Sequence, residues 1–373
     1  MMRGAFWLSS TIAALAVAGA LSAWLWPATA QRPQEATTAS PPPSKEETIA
    51  LDQLKAKLRE QRAKIKSLYV EYRFETEALI DPKILPRWLM LEIHPYKGEE
   101  RVGFRDRQRY LRRILPDGLQ FITPPDQVEP DPAAPAFLKS IIDRRRQDAA
   151  RNAARNAGRL PKVGAEDKTS IYTGEALLSQ LYADNRDTFL KSPAPQRVYS
   201  PRMYLSCAGL RPPDPAPNKD VRAVELEDWI PDAFDPFNSG RVLEATEAVD
   251  GSDCLIVEGT KAVQGAEREF QQVERFWFDP ARGLALLRRE IRYDGVLSER
   301  RTCSRLEEVA PGIWLPREAT WERCGPSWAA AEYRGKPAFL YRIKAIQIRV
   351  NDPANDKLFG PGPDAQVVEQ PRS

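Results

Sequence analysis

From Arg241 to Val350 the chain reads as one long meander of antiparallel strands, so a sheet must be the frame on which everything else is placed. Phe276-Trp277-Phe278 runs into Asp279-Pro280, turns through Ala281-Arg282-Gly283 and leaves as Leu284-Ala285-Leu286-Leu287. Pro280 has no N–H to give a ladder, and Gly283 accepts the positive φ of a tight turn. Asp294-Gly295 stands between Ile291–Tyr293 and a run that starts at Val296. Asp-Gly in that setting is a strong hairpin signal. A further turn falls at Pro311-Gly312, before Ile313-Trp314-Leu315-Pro316. The pattern predicts strands over Cys254–Gly259, Phe270–Phe278, Leu284–Tyr293, Val296–Val309, Ile313–Glu322 and Phe339–Val350.

The preceding half is more varied. Leu51, Leu54, Leu58 and Ile65 lie near helical spacing, with Lys55, Lys57, Arg59, Glu60, Arg62 and Lys64 between them. That spacing predicts an amphipathic helix over Leu51–Lys66 with a solvated charged face. A strand over Leu68–Leu79 follows, with Leu68, Val70, Tyr72 and Phe74 on one face and Glu71, Arg73 and Glu75 on the other. Trp88–Ile93 is apolar throughout and predicts a central strand; Tyr96-Lys97-Gly98-Glu99 predicts a turn and Arg109–Leu115 another strand. Residues 124–135 and 211–220 are proline-rich connections. Helices are expected over Phe137–Ala157 and Thr173–Ala183, and a strand over Arg197–Cys207. The first of these helices carries Arg144, Arg145, Arg146, Arg151 and Arg155, a solvated face or a contact for an anionic membrane surface or an acidic protein partner.

Arg3, the apolar run Ala5–Trp26 and Ala28-Thr29-Ala30 predict a secretory signal over residues 1–30, cleaved after Ala30 or retained as an anchor through residues 5–26. Residues 31–47 have the composition of a linker, and residues 48–373 are expected to form a single domain. The body is therefore expected in the periplasm or cell envelope. A net charge of +3 and the absence of a recognition motif argue against nucleic acid as a partner. No Gly-rich phosphate loop and no G-x-S-x-G elbow occurs. His94 is the single histidine, and no nucleophile motif accompanies it. The acidic stretch Glu225–Asp235 lacks calcium-loop spacing, so no metal and no cofactor is expected. Outside the cytoplasm Cys207, Cys254, Cys303 and Cys324 can form up to two disulfides by three connectivities; buried free thiols are the alternative. A turn at Pro311-Gly312 places Cys303 opposite a residue near Thr320 rather than Cys324.

Taken in order, these segments resemble the LolA-type lipoprotein-carrier family in its broad sense, which includes outer-membrane lipoprotein-sorting proteins. The likeness lies in the helix Leu51–Lys66 leading into Ser67-Leu68-Tyr69-Val70-Glu71-Tyr72, and in Trp277-Phe278-Asp279-Pro280-Ala281-Arg282-Gly283-Leu284. It continues in Gly312-Ile313-Trp314-Leu315-Pro316 and in Ile348-Arg349-Val350-Asn351 with Leu358-Phe359. Inserts near 124–165 and 207–240 exceed a minimal carrier. The resemblance implies an α+β fold: a strongly curved antiparallel sheet, or half-open β-barrel, with helices covering the concave face. It implies a non-enzymatic carrier or sensor of a lipidated protein or other acyl-chain ligand. Apolar cavity candidates are then Tyr72, Phe74, Trp88, Met90, Ile256, Phe276, Phe278, Leu287, Ile291, Ile346 and Ile348. A filled core is the competing reading for each of them. Two other functions fit the same residues: a regulatory protein-binding module of this fold acting in envelope signalling, and a hydrolase with an unrecognised carboxylate pair.

Overall fold

The computed structural model describes residues 45–88, 97–105, 108–115, 166–173, 176–180, 188–193, 203–210, 239–264, 269–361 and 364–369, with scattered positions between 129 and 147. A helix, α1 (Lys45–Ala63), leads into β1 (Ser67–Ala78). Then come β2 (Lys97–Arg105), β3 (Gln108–Leu115), β4 (Glu166–Tyr172), β5 (Ala176–Gln180) and β6 (Thr188–Pro193). A short helix, α2 (Met203–Cys207), precedes the meander. The meander comprises β7 (Ser239–Val249), β8 (Ser252–Gln264), β9 (Glu269–Asp279), β10 (Ala285–Tyr293), β11 (Val296–Ala310), β12 (Ile313–Cys324) and β13 (Pro337–Val350). β14 (Gln366–Glu369) ends the described chain.

These strands make one sheet in the order β14-β6-β5-β4-β3-β2-β1-β13-β12-β11-β10-β9-β8-β7. The pairings are antiparallel except that of β14 with β6. The sheet does not close, and β14 and β7 are its edges. β1 joins the two halves, pairing with β2 on one side and β13 on the other. Register shifts occur at Glu71/Tyr72, Leu286/Arg288, Ile291/Arg292 and Glu308/Ala310. Each adds a local bend to a sheet of this size.

The turns follow from their residues. Asp279 caps the 3-10 turn Pro280–Arg282 by accepting from the Ala281 N–H, and Gly283 leaves it at φ 62°. Asp294 and Gly295 sit at φ 48° and 79°, the two positive values of a type I′ hairpin. Asp250-Gly251, at 50° and 77°, makes a similar turn that the sequence reading did not single out.

Alternation in β9 sends Phe276 and Phe278 to one face, where they stack at 6.3 Å. Leu51, Leu54 and Leu58 of α1 pack on them with Val257 and Leu286. Burying one such side chain is worth about 1.5–3 kcal/mol, so this contact holds α1 to the sheet. A larger cluster takes Leu68, Val70, Tyr72 and Phe74 of β1 with Ile65, Phe104, Ile343 and four residues of α2, Met203, Tyr204, Leu205 and Cys207. Tyr204 anchors α2: its ring stacks on Tyr72 at 5.7 Å and its hydroxyl donates to the Pro316 carbonyl at 2.7 Å.

Several expectations need correction. Trp88 belongs to a 3-10 turn, Leu85–Trp88, not to a strand, because Pro86 has no N–H for a ladder; residues 89–96, which include Met90 and His94, lie outside the described residues. Lys97-Gly98-Glu99 is strand, since Gly98 pairs with Phe74 instead of turning. Thr173–Ala183 is not a helix where described: Ala176–Gln180 is β5, with Ala176 and Leu178 buried at strand spacing. The end of Arg197–Cys207 is helix α2, whose Met203, Tyr204, Leu205 and Cys207 are all buried. A short apolar run of that kind has no period to read. α1 also starts six residues before Leu51 and stops at Ala63. All four cysteines are free and buried, and Cys303 pairs with Ala319 across the hairpin.

Gly325 offers a sharp test of the β12–β13 connection. A Cβ there would lie 2.2 Å from the Tyr333 carbonyl oxygen, and backbone cannot step aside cheaply. Gly325→Ala is expected to destabilise the protein by about 1–3 kcal/mol. Gly360→Ala, with nothing within 4 Å of the new Cβ, serves as the control. Equal thermal unfolding of the two variants would contradict this packing.

Candidate functional site

The two large clusters meet at a cleft. One wall is the end of α1 and the residues after it, with Leu58, Gln61, Arg62 and Ile65. The opposite cover is the loop that follows α2, Ala208-Gly209-Leu210. The floor is sheet: Phe278, Leu284, Ala285 and Leu286 from the β9–β10 connection, and Ile313, Trp314 and Leu315 from β12. Its volume is about 70 Å³. That is well below the roughly 300–1,000 Å³ typical of a small-molecule site, so a long chain enters only if the covers part.

The floor depends on two glycines in the left-handed region. Gly283 and Gly312, at φ 62° and 71°, bring the two turns together. A Cβ on Gly283 would stand 3.0 Å from the Gly312 carbonyl oxygen. Leu284 is also left-handed, at φ 61°, an uncommon state for a bulky side chain. It is half-buried and lines the cleft. A strained apolar residue in a cleft floor points to a position held for more than packing.

The cleft has a polar rim. Lys64 Nζ donates to Gln61 Oε1 at 3.2 Å. Arg282 lies over the Trp314 ring at 5.6 Å and pairs with Asp279 at 3.5 Å. Glu308 accepts from the Gly312 N–H at 2.7 Å. Inside, Arg62 packs over the Phe104 ring at 4.5 Å and donates to the Ile65 carbonyl. Burial pushes its guanidinium down to about 10, so it remains a cation at neutral pH.

Along the same sheet face the apolar surface gives way to paired charges. Arg289 lies over the Phe276 ring at 5.4 Å and donates twice to Glu274 Oε2, at 2.8 and 3.1 Å. Arg301 sits over Trp321 at 4.5 Å and pairs with Glu299 at 2.7 Å. Glu290 is instructive for acid–base chemistry. Burial alone would raise its carboxyl, but Arg300 and Arg292 outweigh burial and hold it below the ordinary value. A general acid needs the opposite shift.

The sequence-derived cavity candidates divide among several places. Tyr72 and Phe74 are in the β1 cluster, with Ile348 against its edge. Phe276 and Phe278 are under α1, and Phe278 also lines the cleft. Trp88 packs with Leu85, Ala329, Ala338 and Phe339. Ile256 and Leu287 join Trp277 on the other face of the sheet, because Ile256 pairs directly with Trp277. Ile291 is half-buried and Ile346, beside the β1–β13 shift, is 45% exposed. Met90 lies outside the described residues. Of the arginine candidates, Arg144 is exposed and Arg146 pairs with Asp143 at 3.3 Å; Arg145, Arg151 and Arg155 lie outside the described residues. Leu210, Leu284, Ile313 and Trp314 were missed, and Arg62 was read as a solvated face. No local pattern marks them, since the cleft joins segments far apart in the chain.

The buried thiols should be inert. Burial pushes Cys254 up to about 11 and Cys324 up to about 12, and raises Cys303, whose Sγ donates to the Cys207 carbonyl at 3.0 Å. Iodoacetamide at mildly alkaline pH is expected to leave the folded protein unlabelled. After unfolding without reductant, mass spectrometry should find four labels. Fewer would reveal a disulfide.

No family model matches the chain, and no curated protein matches it. Solved structures do. The chain is similar to a DUF1329 family protein from Desulfovibrio piger, with 15% identity, a TM-score of 0.41 and coverage of 84% of this chain and 97% of that one. It is similar to a domain described as an outer membrane lipoprotein-sorting protein from Vibrio parahaemolyticus, with 10% identity, a TM-score of 0.36 and coverage of 81% and 94%. It is also similar to the lipoprotein LppX of Mycobacterium tuberculosis, with 10% identity, a TM-score of 0.26 and coverage of 80% and 93%.

Proposed function

We propose that this protein is an exported, non-enzymatic carrier or sensor of an acyl-chain ligand, either a lipidated protein or a lipid. The observation that carries this reading is the cleft at the seam between two apolar clusters. Its walls come from α1 and from the segment after α2, two covers that are far apart in the chain. Such covers can separate without unpairing a strand. Parting them would expose a continuous apolar strip from Phe278 and Leu286 to Ile313 and Leu315. Each methylene buried there contributes about 0.8 kcal/mol, less the cost of moving the covers and ordering the chain. The arginine-rich segment that includes Arg144 and Arg146 is assigned to contact with an anionic surface. Among the described residues no helix is long and apolar enough to cross a membrane.

A fluorescent palmitoyl probe is expected to bind the folded protein saturably. Leu284→Asn tests the floor, because Asn tolerates the left-handed backbone while removing apolar lining. It should weaken the probe by roughly tenfold with little loss of stability. Ile256→Ala, on the other face, should cost stability and leave probe affinity alone. A well-folded, lipid-free wild type that ignores the probe would overturn the carrier reading and favour the regulatory protein-binding module.

A further inference from the structure

Of the four thiols, the fold brings two to one spot. Cys207 ends α2 and Cys303 lies on β11, 96 residues further along the chain, and both are buried in the same apolar cluster. The Cys303 thiol donates to the Cys207 carbonyl at 3.0 Å. The bonds from that oxygen back to the Cys207 Cα add at most about 3 Å, so this Cα stands within about 6 Å of the Cys303 sulfur. Disulfide-bonded Cα atoms stand about 4.4–6.8 Å apart, a spacing that this approach allows. The other two thiols lie elsewhere. Cys254 belongs to the cluster around Trp277 on the other face of the sheet, and Cys324 ends β12, beyond the Ala319 that pairs with Cys303.

We propose that Cys207 and Cys303 form a reversible disulfide that latches one cover of the cleft. This rests on the carrier reading and adds regulation to it. The cover Ala208-Gly209-Leu210 continues α2: the Ala208 N–H donates to the Tyr204 carbonyl at 2.9 Å and the Leu210 N–H to the Leu205 carbonyl at 2.7 Å. Cover and helix therefore move as one piece. Packing holds that piece to the sheet, together with the Tyr204 bond to the Pro316 carbonyl and the Cys303 bond to the Cys207 carbonyl. The other cover, α1, runs into β1 and is clasped there by Asn351. A covalent bond from Cys207 to β11 holds the α2 piece down beside the floor strand β12, whereas two thiols leave it able to lift. The oxidant is a small external disulfide, a class found in oxidising compartments. With the cover lifted, the Cys207 thiolate attacks it, forms a mixed disulfide and expels one thiolate. As the piece settles, Cys303 loses its proton and attacks the Cys207 sulfur, expelling the second. The two protein thiols are oxidised, and the external disulfide is reduced to two thiols that take up the two protons. A small dithiol reverses the sequence. With the cover closed, burial raises Cys303 and shields both sulfurs, so brief alkylation misses them. Uncatalysed exchange runs over minutes to hours and so samples each opening.

Fully reduced wild type, incubated for hours with oxidised glutathione, is mapped by mass spectrometry without reduction and titrated with the palmitoyl probe. One cross-link is expected, Cys207 to Cys303, with Cys254 and Cys324 left as thiols. The cross-linked form should bind the probe about tenfold more weakly than the reduced form, and dithiothreitol should restore binding. Cys254→Ser should behave as the wild type, and Cys207→Ser should bind the probe equally before and after the oxidant. If Cys207→Ser fails to fold, the wild type in its two states still decides. Glutathione adducts in place of the cross-link, a different pairing, or unchanged probe affinity in the cross-linked form would overturn this inference alone. A reduced wild type that ignores the probe would overturn the carrier reading and the latch's role with it.

Discussion

The position of the cleft depends on one amide side chain. Asn351, at φ 53°, follows β13 and faces the junction between α1 and β1. Its Oδ1 accepts from the N–H groups of Lys66 and Ser67, at 2.8 and 3.1 Å, and its Nδ2 donates to the Lys64 carbonyl at 2.7 Å. Its backbone N–H donates to the Ser67 carbonyl at 2.9 Å. Asn is among the few residues that accept this backbone without large cost and can also supply both donor and acceptor. The clasp fixes where α1 stops relative to the end of the meander. Gln61, Arg62 and Ile65 therefore stand over the floor made by β9, β10 and β12. Asn355 reinforces the same corner, donating to Ser67 Oγ and to the Arg349 carbonyl.

Around that corner the sheet carries two kinds of surface, and their separation explains the site. Large apolar groups lie where α1 and α2 cover the face. Arginine–glutamate pairs lie farther along the same strands, at Glu274–Arg289 and Glu299–Arg301. A buried pair of this kind adds little net stability, but removing one partner leaves a costly charge. The pairs thus mark where the apolar surface of this face ends. Stacking of Arg289 on Phe276 makes the change abrupt, since the ring belongs to the apolar side and the guanidinium to the charged one.

Much of this frame was legible in the residues, and the reasons are local. Asp279-Pro280 with Gly283, Asp294-Gly295 and Pro311-Gly312 each impose backbone angles that few other structures accept. Alternation in Leu68, Val70, Tyr72 and Phe74 gave one face of β1, and Leu51, Leu54 and Leu58 gave the packed face of α1. The errors have equally physical causes. Ala176–Gln180 and Met203–Cys207 are too short for a period of two to be told from one of 3.6. Gly98 looks like a turn residue until a partner strand supplies Phe74 opposite it. The resemblance suggested a cavity among the large strand residues. In the structure most of those side chains fill separate parts of the core, and the cleft is lined largely by others. A seam between distant segments leaves no trace in any one of them.

The central place of β1 has a consequence for how the chain reaches this state. Its pairing with β13 and the Asn351 clasp join positions up to 285 residues apart. Closing so large a loop costs little more in equilibrium free energy than closing one half the size, about 0.6 kcal/mol. Its cost in time is greater, because non-local pairings reward the chain only after the intervening segments are ordered. The β7–β13 hairpins can zip locally, yet β13 must wait with one edge unpaired until residues 67–78 arrive. Until then α1 has no fixed end and the cleft no wall. The wall of the cleft is therefore among the last features the folding chain acquires, and the waiting edge of β13 is open to mispairing with another copy until then.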